Sequence, residues 1–267
     1  MAKRSNPAVR IAQETAHNAV FYADGKPKPG VHNLLLRAVD IQRPLVLAYV
    51  RRLQRKHPRA SAAKLAEFLE RDYLRAVAGG GAIVGATAVV PGVGTIASLG
   101  LSAAATVGFL EATALYATSL AELHGIRLTN PEKASTMVMA IMLGEEGTAL
   151  LGTLSGHAMG KDANPGQAWA NVLTKSMPSG FGAVRNKIQK AFLKNLLKRQ
   201  GKALLGRALP FGIGAVVGGA GNLMMGRAVA ASAKEAFGPL PETVPGELIG
   251  MAAQPEQLTL EGINLGS

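Results

Sequence analysis

Apolar residues along this chain recur at helical spacing, and the strict alternation expected of a strand is nearly absent. "VHNLLLRAVDIQRPLVLAYVRRLQRKH" (31–57) reads as helix that bends or breaks near Pro44 and ends before Pro58. Proline lacks an N–H and pushes the residue before it out of the helical region. In "PRASAAKLAEFLERDYLRAVA" Ser61 is the expected N-cap, and Leu65, Phe68, Leu69, Tyr73 and Leu74 form the expected buried face. A long helix from about Thr95 should close near His124 and Gly125, with glycine as its C-cap. "TNPEKASTMVMAIMLGEEGTALL" opens on a cap with Pro131 at the first helical position, which starts a further helix. "SGHAMGKDANPGQ" is an expected loop, and helices follow at about 182–206 and 213–237. The expectation is an all-α fold, a compact helical bundle. It divides into a basic N-terminal helical extension (1–59), a helical domain (60–238) and an acidic, proline-punctuated tail (239–267), extended or disordered.

Charge divides the chain more sharply than hydropathy does. The 267 residues carry a net charge of +12. Twelve basic residues lie in 1–60 against Glu14, Asp24 and Asp40. Residues 76–110 hold no charge, and Ala163 to Lys234 holds eleven basic residues and no acidic one. Such a balance implies an anionic partner, either a phospholipid surface or nucleic acid, or else simple solubility. There is no cysteine, which excludes disulfides, thiolate metal sites and cysteine nucleophiles. The N-terminal "MAKRSNPAVRIAQET" is polar with no apolar core, so a secretory signal is not expected and a cytoplasmic origin is.

The charge-free stretch "GGGAIVGATAVVPGVGTIASLG" has glycines at 79, 80, 81, 85, 92, 94 and 100. It is not a phosphate cradle. No lysine lies between Arg75 and Glu111, no strand precedes it, and the spacing fits neither nucleotide fingerprint. Gly81 with Gly85, and Gly214 with Gly218, instead form GxxxG pairs, whose bare faces let helix backbones approach closely. Pro91 and Gly92, followed by Gly94, are the expected tip of a central helical hairpin. Its first arm, Ala76 to Val90, offers about 22 Å of helix, short of a hydrocarbon core of about 30 Å. The hairpin therefore dips into one leaflet or packs inside the bundle, and the second glycine-rich helix raises the same choice.

"GAVRNKIQKAFLKNLLKRQGKALLGR" has the clearest two-faced pattern. Lys187, Lys190, Lys194 and Lys198 recur every three or four residues, with Lys202 beyond them, while Ile188, Phe192 and Leu196 fall on another face. That is the pattern of a helix lying on anionic lipid, and equally of a bundle helix with a solvated lysine face. Nucleic acid is not the expected partner: only Phe192 lies among the basic residues as a stacking platform, and no nucleic-acid motif is present.

No catalytic constellation is visible, and no cofactor or metal is expected. The five histidines are never closer than 15 residues, and the Ser61–Lys64 pair lacks the companion motifs of a Ser-x-x-Lys enzyme. Glu111 and Glu122, eleven residues apart, fall on one side of a helix and are candidate buried carboxylates.

Two stretches, "RAVAGGGAIVGATAVVPGVGTIASLGLSAAATVGFLEATALYATSLAELHGIRLTNPEKA" (75–134) and "LPFGIGAVVGGAGNLMMGRAVAASAKEAF" (209–237), resemble the bacterial EcsC family. The first is similar to that family's small-residue hairpin, the second to its closing "P-x-x-G-A-x-x-G-x-x-x-N" helix. The resemblance spans roughly 60–240. It implies an all-helical, membrane-associated protein of a family named from an operon that also encodes an ABC exporter, and it implies no catalytic residues. The expected function is that of a non-catalytic accessory or interaction protein on the inner face of the cell membrane. It would bind anionic lipid through the basic helix and the glycine-rich hairpin, with a membrane-protein partner or a second copy possible. The alternative is a soluble helical enzyme or ligand-binding protein built around Glu111.

Overall fold

The computed structural model describes residues 29–41, 43–87, 94–153, 173, 180–206, 213–245 and 248. Among the described residues the chain is helical and has no strand, as an all-α fold requires. The helices are α1 (Pro29–Ala38), α2 (Arg43–Lys56), α3 (Ala62–Thr87), α4 (Gly94–Leu123), α5 (Pro131–Leu143), α6 (Glu145–Gly152), α7 (Phe181–Gly206) and α8 (Ile213–Phe237).

Local chemistry sets most of these ends. Pro44 sits in the first turn of α2, where its missing N–H has no helical acceptor to lose. The Lys64 N–H donates to Ser61 Oγ at 3.3 Å and caps α3. Helix α4 closes in a Schellman turn: Gly125 takes φ 75°, its N–H donates to the Glu122 carbonyl, and the Ile126 N–H reaches back to the Ala121 carbonyl at 2.9 Å. Asn130 Oδ1 accepts from the Lys133 N–H at 3.1 Å, and Pro131 opens α5.

The helix that opens at Pro131 is shorter than its apolar pattern suggests. It stops at Leu143, because Gly144 adopts φ 70° and ψ −139°, a conformation closed to ordinary L-residues. The chain folds back there into α6. Gly147 then lies so close to the Ala140 backbone that a Cβ would overlap it.

The centre of the bundle is formed by α3, α4 and α8. Only six residues separate α3 from α4, yet Tyr73, well back along α3, hydrogen-bonds Thr113 at 2.9 Å and stacks on Tyr116 at 4.7 Å. The two helices are therefore an antiparallel hairpin. Burial pushes the Tyr73 phenol up to about 12, so it stays a neutral hydrogen-bonding group. Helix α8 lies against α3. Asn222 Nδ2 donates to the Val77 carbonyl at 3.2 Å, and Gly226 faces Val77, Leu74 and Tyr73 with no room for a side chain.

The remaining helices cover this centre. α5 packs on α4, α7 on α5 and α6, and α1 and α2 on α4. Val39, Val50 and Leu53 share one core with Leu65, Leu110, Met137, Ile188 and Phe237. The described part of the expected N-terminal extension is thus a layer of the same core. The start of the acidic tail docks as well: Val244 and Leu248 are buried, and Pro245 lies against Gly125.

Gly147→Ala should lower stability by at least about 3 kcal/mol, since the clash is with backbone that cannot rotate away. Gly221→Ala, a helical site with open space around it, should raise stability by about 0.5–1 kcal/mol. Thermal and urea denaturation of the two variants should move in opposite directions.

Candidate functional site

Helix α7 divides as its sequence suggests. Ile188, Phe192 and Leu196 are buried in the core, while Lys187, Lys190 and Lys194 are exposed. Lys198 and Lys202 belong to the same helix, but their side chains lie outside the described residues. Because the apolar face is committed to α5 and α6, it is not available to enter a lipid surface. What this helix offers a partner is charge.

A cleft of about 480 Å³ opens beside it, between α1, the start of α5 and α7. Asn33, Arg37, Glu132, Ser135, Arg185 and Gln189 are among its lining residues. Arg185 spans it, with Nη1 2.8 Å from Glu132 Oε1, which ties α7 to the first turn of α5. A carboxylate is favoured at that helix end by the positive pole of the dipole. The Arg185 Nε is buried and has no hydrogen-bond partner among the described residues.

The two candidate carboxylates part company. Glu122 is 3% exposed and held by Arg43 through two hydrogen bonds, Nε to Oε1 at 2.6 Å and Nη2 to Oε2 at 3.0 Å. Glu111 is exposed and lines neither described cleft, so its expected burial is corrected. Both project from the same side of α4, as the spacing requires. The covering changes along the helix: α2 brings Arg43 over Glu122, and nothing described covers Glu111. Among the described residues no enclosed site forms around Glu111.

The glycines are also redistributed. Gly79 and Gly80 have open space where a Cβ would stand, so helix packing does not demand them. Gly81 and Gly85 lie in α3, Gly94 begins α4, and Gly214 and Gly218 lie in α8, but their surroundings are outside the described residues, as are Pro91 and Gly92 altogether. The close approach falls at Gly226, which sequence reasoning missed. It continues the four-residue stripe 214, 218, 222, 226, and that stripe is the signal that could have found it.

Lys133 was also missed. It is 3% exposed, its Nζ donates to the Leu173 carbonyl at 3.3 Å, and burial lowers its pKa. At the end of α4, His124 packs against Phe237 with ring centroids 5.3 Å apart, and burial lowers its pKa to about 4. Among the described residues there is no group of His, Asp and Glu able to hold a metal ion, and no helix long and apolar enough to cross a membrane. No family model, curated protein or solved structure matches the chain.

Arg43→Ala leaves the Glu122 carboxylate buried and unpaired and should cost about 3 kcal/mol or more; adding Glu122→Gln should restore at least half of that in urea denaturation. His124 is neutral in the folded chain down to about pH 4 but protonates near 6.5 when unfolded. Its contribution is therefore complete above pH 6.5 and is lost as pH falls toward 4. Between pH 7 and 4.5 the protein should lose measurably more stability in urea denaturation than a His124→Asn variant does.

Proposed function

We propose that this protein is a non-catalytic accessory or interaction protein that associates with the anionic inner face of a cell membrane, helped by the basic face of α7. One observation carries the reading. Lys187, Lys190 and Lys194 stand exposed in a row on a helix whose apolar face is already used, within a stretch from Ala163 to Lys234 that has no acidic residue. A row of lysines with no carboxylate on its own helix is attracted to anionic headgroups by about 1 kcal/mol per charge, and the attraction fades as salt rises. The EcsC resemblance of the glycine-rich segments supports the same reading, and a membrane-protein partner or a second copy is compatible with it.

Association is peripheral or confined to one leaflet, in keeping with the lack of a spanning helix among the described residues. Nucleic acid is the weaker partner for this face: Phe192, the one aromatic among the lysines, is buried and cannot stack on a base.

Flotation with vesicles of phosphatidylcholine and phosphatidylglycerol over a salt series tests the reading. Binding should be strong at low salt and fall as salt rises. Changing Lys187, Lys190 and Lys194 together to Glu should weaken it at least tenfold with the helical circular dichroism unchanged, since all three side chains are exposed. Protein that stays at the bottom of the gradient at low salt, or a variant that floats like the parent, would overturn the proposal.

A further inference from the structure

The charge-free stretches of α3 and α8, far apart in sequence, meet where Asn222 and Gly226 lie against Val77. Gly226 lies against Val77, Leu74 and Tyr73, which sets Arg227 level with Arg75. Thr113, two residues beyond Glu111, hydrogen-bonds Tyr73, so the first charge of α4 lies within a helical turn of the same level. Beyond this level α3 runs from Ala76 to Thr87, α4 from Gly94 to Leu110 and α8 from Ile213 to Gly226 without a charge. These helical lengths are roughly 18, 25 and 21 Å at 1.5 Å per residue, enough to enter one leaflet of a hydrocarbon core about 30 Å thick and too short to cross it.

At that level residues of α3 and α8 together line a surface groove of about 490 Å³. Leu74, Ala78 and Leu223 give it apolar walls, and Met224 beside it is 72% exposed. Arg71, Arg75 and Arg227 line it together with Glu67 and Glu70. Both carboxylates already have partners: Lys64 Nζ lies 2.6 Å from Glu67, and Lys234 Nζ 2.6 Å from Glu70. Arg71 sits over the Phe68 ring and near Asp72. Arg75 and Arg227 are exposed and have no ion pair among the described residues. Two guanidiniums without an ion pair among the described residues, beside the apolar walls of this groove and at the border of the charge-free stretches of α3, α4 and α8, match a phosphate head with an attached hydrocarbon chain.

We propose that this groove binds a membrane phospholipid, with its phosphate on Arg75 and Arg227 and its acyl chain along Leu74, Ala78 and Leu223. The proposal rests on the membrane association proposed above and adds its orientation. The arginines hold the headgroup level, and Met224 lies just on the lipid side of them.

Because the chain has no cysteine, Met224→Cys and Ala48→Cys each accept one bimane label without background. On phosphatidylcholine–phosphatidylglycerol vesicles with acyl-chain bromines, the label at 224 should be quenched and the label at 48, an exposed site on α2, should not. Adding Arg75→Gln with Arg227→Gln should weaken vesicle binding about tenfold and reduce quenching at 224. Changing Lys187, Lys190 and Lys194 to Gln should weaken binding while the fraction still bound stays quenched. A label at 224 that remains open to water on vesicle-bound protein would overturn the groove and leave peripheral association standing. Absence of vesicle binding would overturn both. Shielding of the 224 label without lipid, rising with protein concentration, would assign the groove to a second copy and overturn the lipid reading.

Discussion

The close approach of α8 to α3 is the constraint on which the bundle depends. At Gly226 the two helices leave no space for a methyl group, and the Asn222 amide reaches the Val77 carbonyl across the same seam. A methyl at 226 would meet Val77 Cγ2 at 2.9 Å and Leu74 Cδ2 at 3.1 Å, so these side chains would have to shift beside Tyr73, whose hydroxyl is held by Thr113 and whose ring lies on Tyr116. The seam thus positions α3, α4 and α8 at once. It also decides which charges stand level with one another, and so where the basic and charge-free parts of the surface meet.

Around this centre, single polar contacts attach the outer layers. Arg43 brings α2 onto α4 through a buried carboxylate, an arrangement that adds direction more than stability, since desolvating both charges offsets much of their attraction. Arg185 attaches α7 to α5 through Glu132 in the same manner but near water, where the pair is weaker. The buried face of α7 does most of the holding there, through Ile188, Phe192 and Leu196.

Much of the fold was legible in the chain because its helix ends are written in local chemistry. Ser61, Asn130 with Pro131, and Gly125 each act within four residues of themselves, and each appears where the sequence places it. The division of α7 into lysine and apolar faces was equally local. What depends on a second helix was not legible. Glu111 and Glu122 share a helical face, and only the arrival of α2 distinguishes them. Gly144 and Gly147 look like ordinary glycines in a helical pattern until α6 folds back on α5. Gly81, Gly85, Gly214 and Gly218 lie on α3 and α8, with their surroundings outside the described residues; the glycine whose contact is seen stands two turns further along α8 than Gly218, past an asparagine that also serves the seam. The run Gly79–Gly80 drew attention through composition and has open space around it.

The hydrogen bond from Asn222 to Val77 joins residues 145 positions apart. On the ribosome, α3 and α4 can pair as soon as they emerge, since their hairpin is local. The seam with α8 must wait until the 145 positions from Val77 to Asn222 have been made, and closing so long a loop adds to the entropy cost of docking α8. Throughout that interval the stripe of α3 around Leu74 and Val77 has no α8 to cover it. Synthesis order therefore gives this protein an obligatory period with an uncovered apolar seam, ended only when α8 arrives.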